Sequence, residues 1–146
     1  MVEQRTTGRR CAVLPGLLAL GLTLLLATNS AGAAELAGSE WRPVRVGAAD
    51  IAADTKAFVQ FRSGGELAGQ GGCNRFFGRY KIEGETIEIG PIGATRMACP
   101  EPVMTEEASF LAALEAAKTF TRERTSLVLF DADKHEQVLL QQTDAD

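Results

Sequence analysis

Residues 69–80 read Gly-Gln-Gly-Gly-Cys-Asn-Arg-Phe-Phe-Gly-Arg-Tyr and gather four of the 15 glycines, the single tyrosine and two of the seven phenylalanines of the chain. Glycine at this density marks backbone that takes positive φ or runs close to another segment, and the aromatics that follow need a core beneath them. The stretch therefore predicts a strand, a tight corner and a second strand. Residues 95–99, Thr-Arg-Met-Ala-Cys, form a second cysteine-bearing turn able to face it.

The segments on either side carry the same short period. Glu40-Trp41-Arg42-Pro43-Val44-Arg45-Val46 alternates and predicts a first strand, with Pro43 placing it at an edge or a bulge. Residues 47–54 read as a loop with at most one helical turn. Residues 57–62 and 66–72 form a hairpin about Ser63-Gly64-Gly65, and 79–83 and 86–89 form a second one about Gly84-Glu85. Ile92 to Cys99 predicts a short strand ended by Pro100 and Pro102. The clear helix runs from 105 to 119, with Thr105 as N-cap, Glu106 and Glu107 in the first turn, and a stripe of Phe110, Leu111, Leu114 and Ala117 or Lys118. Short strands follow at 120–123, 126–130 and 138–141. No helix alternates with the strands, which excludes a parallel α/β sheet. The predicted class is mainly β (α+β): a curved antiparallel sheet or partly open small β-barrel with one packed α-helix.

The first 33 residues have a different character. Arg9 and Arg10 precede an apolar run from Cys11 to Ala27, and Ala31-Gly32-Ala33 fits a small-x-small cleavage site, so residues 1–33 predict a secretory signal peptide and 34–146 the mature domain. Pro15, Gly16 and Gly21 interrupt the run, which falls short of the roughly 20 apolar residues of a membrane span. The expected product is exported, periplasmic or extracellular, with no stable span after cleavage, by the general secretory or the twin-arginine route. No cysteine follows the run, so lipid attachment is not expected. Cleavage leaves 12 basic against 18 acidic residues, a formal charge of −6. That balance argues against nucleic acid or anionic lipid as the main partner.

Gly72-Cys73-Asn74-Arg75-Phe76 with Gly78 and Tyr80, then Thr95-Arg96-Met97-Ala98-Cys99, then Glu107-x-x-Phe110-Leu111-x-x-Leu114, resembles in this order the META domain, or HslJ-like, family of exported bacterial proteins. Trp41 and the Leu127–Leu129 and Leu139-Leu140 segments also fit. Pro43 departs from the pattern, because the family commonly has an aliphatic residue two positions after the Trp, and the pairing of the first strand is the point it affects. The resemblance implies one compact antiparallel domain, partly wrapped into a barrel with a helix across it. It also implies links to heat-shock response, novobiocin tolerance, secretion or motility, and no defined catalytic activity.

Cys73 and Cys99 are an even pair in an exported domain, each beside glycine or proline at a turn. A structural disulfide is the economical expectation, with two nearby thiols and a redox or metal role as alternatives. Asn74 suits a turn that bonds backbone amides, with Gly72 and Gly78 as its glycines. Arg75 and Arg96 can share a face as a cationic spot for a carboxylate, or pair with Glu88, Glu106 or Glu107. Phe76 or Phe77, with Tyr80, is expected in the core. The only histidine, His135, lies in a predicted turn far along the chain from either cysteine, so no nucleophile–base pair is expected. Asp131-Ala132-Asp133 lacks the glycine and distal acid of a calcium loop. No catalytic residue, metal or cofactor is predicted.

The expected function is a non-enzymatic, monomeric cell-envelope domain that binds a protein partner or small ligand through the glycine corner. The alternatives are a thiol/disulfide-active protein using Cys73 and Cys99, and a purely structural or inhibitory module.

Overall fold

The computed structural model describes residues 35–143. The expected signal peptide, residues 1–33, lies outside them. Ten strands, β1 (Ser39–Val46), β2 (Ala49–Asp50), β3 (Phe58–Arg62), β4 (Glu66–Gln70), β5 (Arg75–Glu83), β6 (Thr86–Ile89), β7 (Gly93–Ala94), β8 (Thr119–Glu123), β9 (Ser126–Phe130) and β10 (Glu136–Gln142), accompany one long helix, α1 (Glu101–Ala116). The strands pair in the order β10-β9-β8-β6-β5-β4-β3-β1, and β1 pairs back onto β10. Eight antiparallel strands thus close into a barrel, closed rather than partly open. β2 is a short addition to β1, and β7 a short addition to β5.

Closure depends on β1. Its first residues pair with β3 and its later ones with β10, and the register on the β10 side shifts between Pro43 and Arg45. The buried side chains are accordingly Ser39, Trp41, Pro43 and then Val46, one residue out of phase. Proline has no N–H to give a ladder, and a bulge is where that loss is tolerated. The bulge, not an edge, is therefore how the strand accommodates Pro43, and Val44 leaves the inner face as a result.

An eight-stranded barrel is just wide enough for side chains to fill it. Trp41, Val59, Phe61, Leu67, Ile87, Leu127, Leu129, Val138 and Leu140 occupy this interior with almost no exposed area. The indole N–H of Trp41 donates to Ser39 Oγ at 2.6 Å, and the ring carries the Arg122 guanidinium 5.2 Å from its centre. Tyr80 meets Phe61 edge-on at 5.1 Å and donates its hydroxyl to the Arg62 carbonyl at 2.9 Å.

Helix α1 packs against β1, β6 and β10 and buries Glu107, Phe110, Ala113 and Leu114, with Ala117 just beyond. It begins at Glu101, before the expected Thr105. Pro100 stands at the N-cap and Pro102 in the first turn, where a missing N–H costs nothing. Thr105 consequently lies inside the helix, with its carbonyl accepting from Ser109 Oγ. Two further expectations change. The segment 47–54 contains β2 rather than a helical turn, and only Gly93–Ala94 of the 92–99 segment is a strand. The rest of that segment is held by side-chain bonds described below.

Candidate functional site

The glycines of the corner serve different purposes. At Gly69 a Cβ would lie 2.5 Å from the Phe76 ring and 2.2 Å from the Phe58 carbonyl oxygen, so only glycine leaves room for that phenylalanine. At Gly71 a Cβ would lie 2.4 Å from Glu107 Cγ, so glycine admits the carboxylate of α1. Gly72 takes φ +120°, which L side chains rarely adopt. Gly78 is a correction: it sits within β5 opposite Leu67, where a Cβ would make ordinary contacts, and it belongs to no turn.

These glycines bring Cys73 and Asn74 onto α1. Glu107 Oε2 accepts the N–H groups of Cys73 at 3.0 Å and Asn74 at 2.6 Å, and its Oε1 accepts Asn74 Nδ2 at 2.7 Å. On its other side Asn74 Oδ1 accepts the Met97 N–H at 2.7 Å and the Thr95 hydroxyl at 3.0 Å. The Asn74 carbonyl accepts the Gly71 N–H at 2.8 Å and closes the turn. Cys73 and Cys99 form a disulfide with Cα atoms 6.1 Å apart. One buried carboxylate, one buried amide and one covalent bond thus join the β4–β5 turn, the β7–α1 loop and the helix.

Glu107 was expected in the first turn or as an arginine's partner. It points inward instead, because it shares the helix face of Phe110 and Leu114 at spacings of three and four. That spacing is the signal that could have found it: a lone acid on an apolar stripe.

The outer surface of the corner has another character. Strand alternation turns Phe76 inward, where it meets Phe110 edge-on, and turns Arg75, Phe77 and Arg79 outward. Phe77 is 63% exposed and lies over β7, so close that a Cβ on Gly93 would be 2.7 Å from its ring. The Thr95 N–H donates to the Arg75 carbonyl at 2.9 Å, and the Arg75 N–H donates to Thr95 Oγ1 at 3.2 Å, which fixes Thr95, the neighbour of Arg96 in the chain, beside β5. Arg75 and Arg96 are both exposed. The pairing of either arginine with Glu88, Glu106 or Glu107 is not observed: Glu107 serves the turn, and Glu88 stands across from Lys81. Met97 is 54% exposed and Met104, in the first turn of α1, 37%. Phe77, Met97 and Met104 are the exposed large apolar side chains among the described residues. All three ride on segments that meet at this corner.

With Cys73 bonded to Cys99, neither offers a thiolate in this state, and His135 lies in the β9–β10 turn. There Asp131 Oδ1 accepts the N–H groups of Asp133 and His135, and the His135 N–H bond chiefly holds its carboxyl below the usual range. Asp131, Asp133 and His135 place ligand-type atoms within 4.8 Å of one another, but the Asp131 oxygens already serve the turn and Gln137. Surface recesses are open, one bordered by Ser39, Glu40, Gln60 and Arg62 and another by Arg79, Tyr80, Lys81 and Glu88. No helix among the described residues is long and apolar enough to cross a membrane.

Comparison with solved structures places this barrel among known ones. An NMR structure of a protein from Burkholderia xenovorans aligns at TM-score 0.63 and 19% identity, covering 99% of this chain and all of that one. A second NMR structure aligns at 0.60 and 18% identity, over 75% of this chain and 92% of the other. A crystal structure of a DUF4847 family protein from Bacteroides vulgatus aligns at 0.55 and 16% identity, over 76% and 96%. At these identities the likeness is one of fold. No curated protein matches the sequence. The META domain profile matches residues 34–144, which includes every strand and the helix, and the chain therefore belongs to the META domain family.

Proposed function

We propose that this chain is a non-enzymatic, exported domain of the cell envelope that binds a partner protein through the outer surface of the Cys73–Cys99 corner, in stress or drug tolerance. The observation that carries this reading is the gathering of Phe77, Met97 and Met104 on the three segments the corner ties together. Exposed apolar side chains scattered over a surface need no explanation, whereas these three are confined to segments that the corner joins. Methionine adapts to an irregular partner surface, and aromatic and arginine side chains are enriched at interface centres. A barrel interior filled by Trp41, Phe61 and their neighbours favours a protein on the outside over a small ligand within.

The test is replacement of the chromosomal copy by the Arg75→Ala, Arg96→Ala double variant. Both side chains are exposed, so the protein is expected at normal level and stability while novobiocin and heat tolerance fall. Full tolerance with the double variant present and folded would overturn the reading.

A further inference from the structure

The corner surface also specifies what kind of partner it takes. Resting on the docking role proposed above, we propose that the partner is an extended, acidic protein segment that seats an apolar side chain on Phe77 and places carboxylates on Arg75 and Arg96.

Local charge carries this. The outward face of β5 presents Arg75, Phe77, Arg79 and Lys81 in alternation. Two of these cations have nearby acids: Arg79 stands opposite Glu66, and Lys81 stands opposite Glu88 and bonds Glu83 at 2.6 Å. Arg75 stands opposite Gln70, and among the described residues neither it nor Arg96 has an ion pair. Arg79 donates to the Gly64 carbonyl at 3.0 Å, whereas Arg75, at the start of the strand two positions from Phe77, has neither an acid opposite it nor an ion pair. Arg75 and Phe77, two positions apart on one face, are about 7 Å from each other. An extended segment spans that distance with side chains of the same parity, one carboxylate and one apolar. A guanidinium donates two parallel hydrogen bonds to a carboxylate, which no neutral partner group matches.

The remainder of the surface selects a narrow occupant. A membrane or other broad anionic surface would cover the whole face and meet Glu66, Glu83 and Glu88 at once. A single segment meets only the charges within the screening length, about 8 Å at physiological salt. An acidic chain that carries a confined cationic spot beside an exposed aromatic thus fits a strand-like acidic segment.

The test is an NMR titration of the purified protein, observing the Met97 and Met104 methyls and the Phe77 ring. The probes are a synthetic peptide of glutamates around a central leucine, the same peptide with lysine for glutamate, and phosphatidylglycerol vesicles. The glutamate peptide is expected to shift Met97 and Phe77, to bind about tenfold more weakly to the Arg75→Glu, Arg96→Glu variant, and to weaken as salt rises. The lysine peptide is expected to leave these signals unmoved. Equal shifts from both peptides, or indifference to charge reversal, would overturn the acidic class while leaving the surface as a docking site. Shifts from vesicles alone would replace the segment by lipid. No shift from any probe would also overturn the inference, while the tolerance assay above decides the docking role separately.

Discussion

Glu107 receives both the main-chain N–H and the side-chain amide of Asn74, at 2.6 and 2.7 Å, and so holds the β4–β5 turn against α1 from a buried position. The Cys73 N–H shares the same carboxylate. Glu107→Ala strips buried donors of their acceptor, each worth about 1–3 kcal/mol when orphaned. The expected loss is about 3–5 kcal/mol in chemical denaturation, with Glu107→Gln losing less because one oxygen remains. A loss below about 1 kcal/mol for Glu107→Ala would mean that the turn stands without it.

The disulfide adds a constraint on the unfolded chain. With a sequence separation of 26, the chain-entropy relation gives about 3.5 kcal/mol. The Cys73→Ala, Cys99→Ala variant is expected to lose roughly that much in urea unfolding. It should still show the Met97 amide protected from hydrogen exchange, because Asn74 Oδ1 accepts it independently. Fast exchange at Met97 would show that the covalent bond alone holds the loop.

Phe77 lies over β7 only because Gly93 has no side chain. Gly93→Ala is expected to lift the ring and alter its NMR shifts, at a stability cost within about 1 kcal/mol, since the clash is with the far end of an exposed side chain that has solvent to turn into. Partner binding should weaken with it. An unmoved ring would contradict the close contact.

Tyr80 titrates on its own terms, because the chain has no other tyrosine. Burial raises its phenol above the ordinary 10.0, and only the neutral hydroxyl can donate to the Arg62 carbonyl. With the folded value above the unfolded one, the contribution is fully present below about pH 10 and is lost as pH rises through the folded value. Phenolate absorbance should therefore appear later in the folded than in the urea-unfolded chain. Tyr80→Phe should flatten the alkaline fall in stability, and coincident titration curves would contradict the assignment.

The strands were legible in the sequence because alternation and Gly-containing turns are local signals. What could not be read depends on pairing register. Phe76 and Phe77 are equivalent in sequence, and what separates them is Gly69, opposite Phe76, leaving space for one ring inside. Glu107 was misplaced because helix α1 starts at Glu101 rather than Thr105, which puts the acid in the second turn, on the face it shares with Phe110 and Leu114. The cysteine pair and Asn74 were recognisable from residue type and turn position. Their common partner came from the helix and had no mark except its spacing to Phe110 and Leu114.

The central claim is that the outside of the corner, not the barrel interior, meets the partner. Photo-crosslinking in cells that make the protein tests it directly, with the reactive residue placed at Met97 or, as a control, at Asp133 in the β9–β10 turn. The account predicts a discrete protein adduct from position 97 that Phe77→Ala removes without loss of folded protein, and none of that mass from position 133. The same adduct from both positions, or one from position 97 that survives Phe77→Ala together with Arg75→Ala and Arg96→Ala, would contradict it.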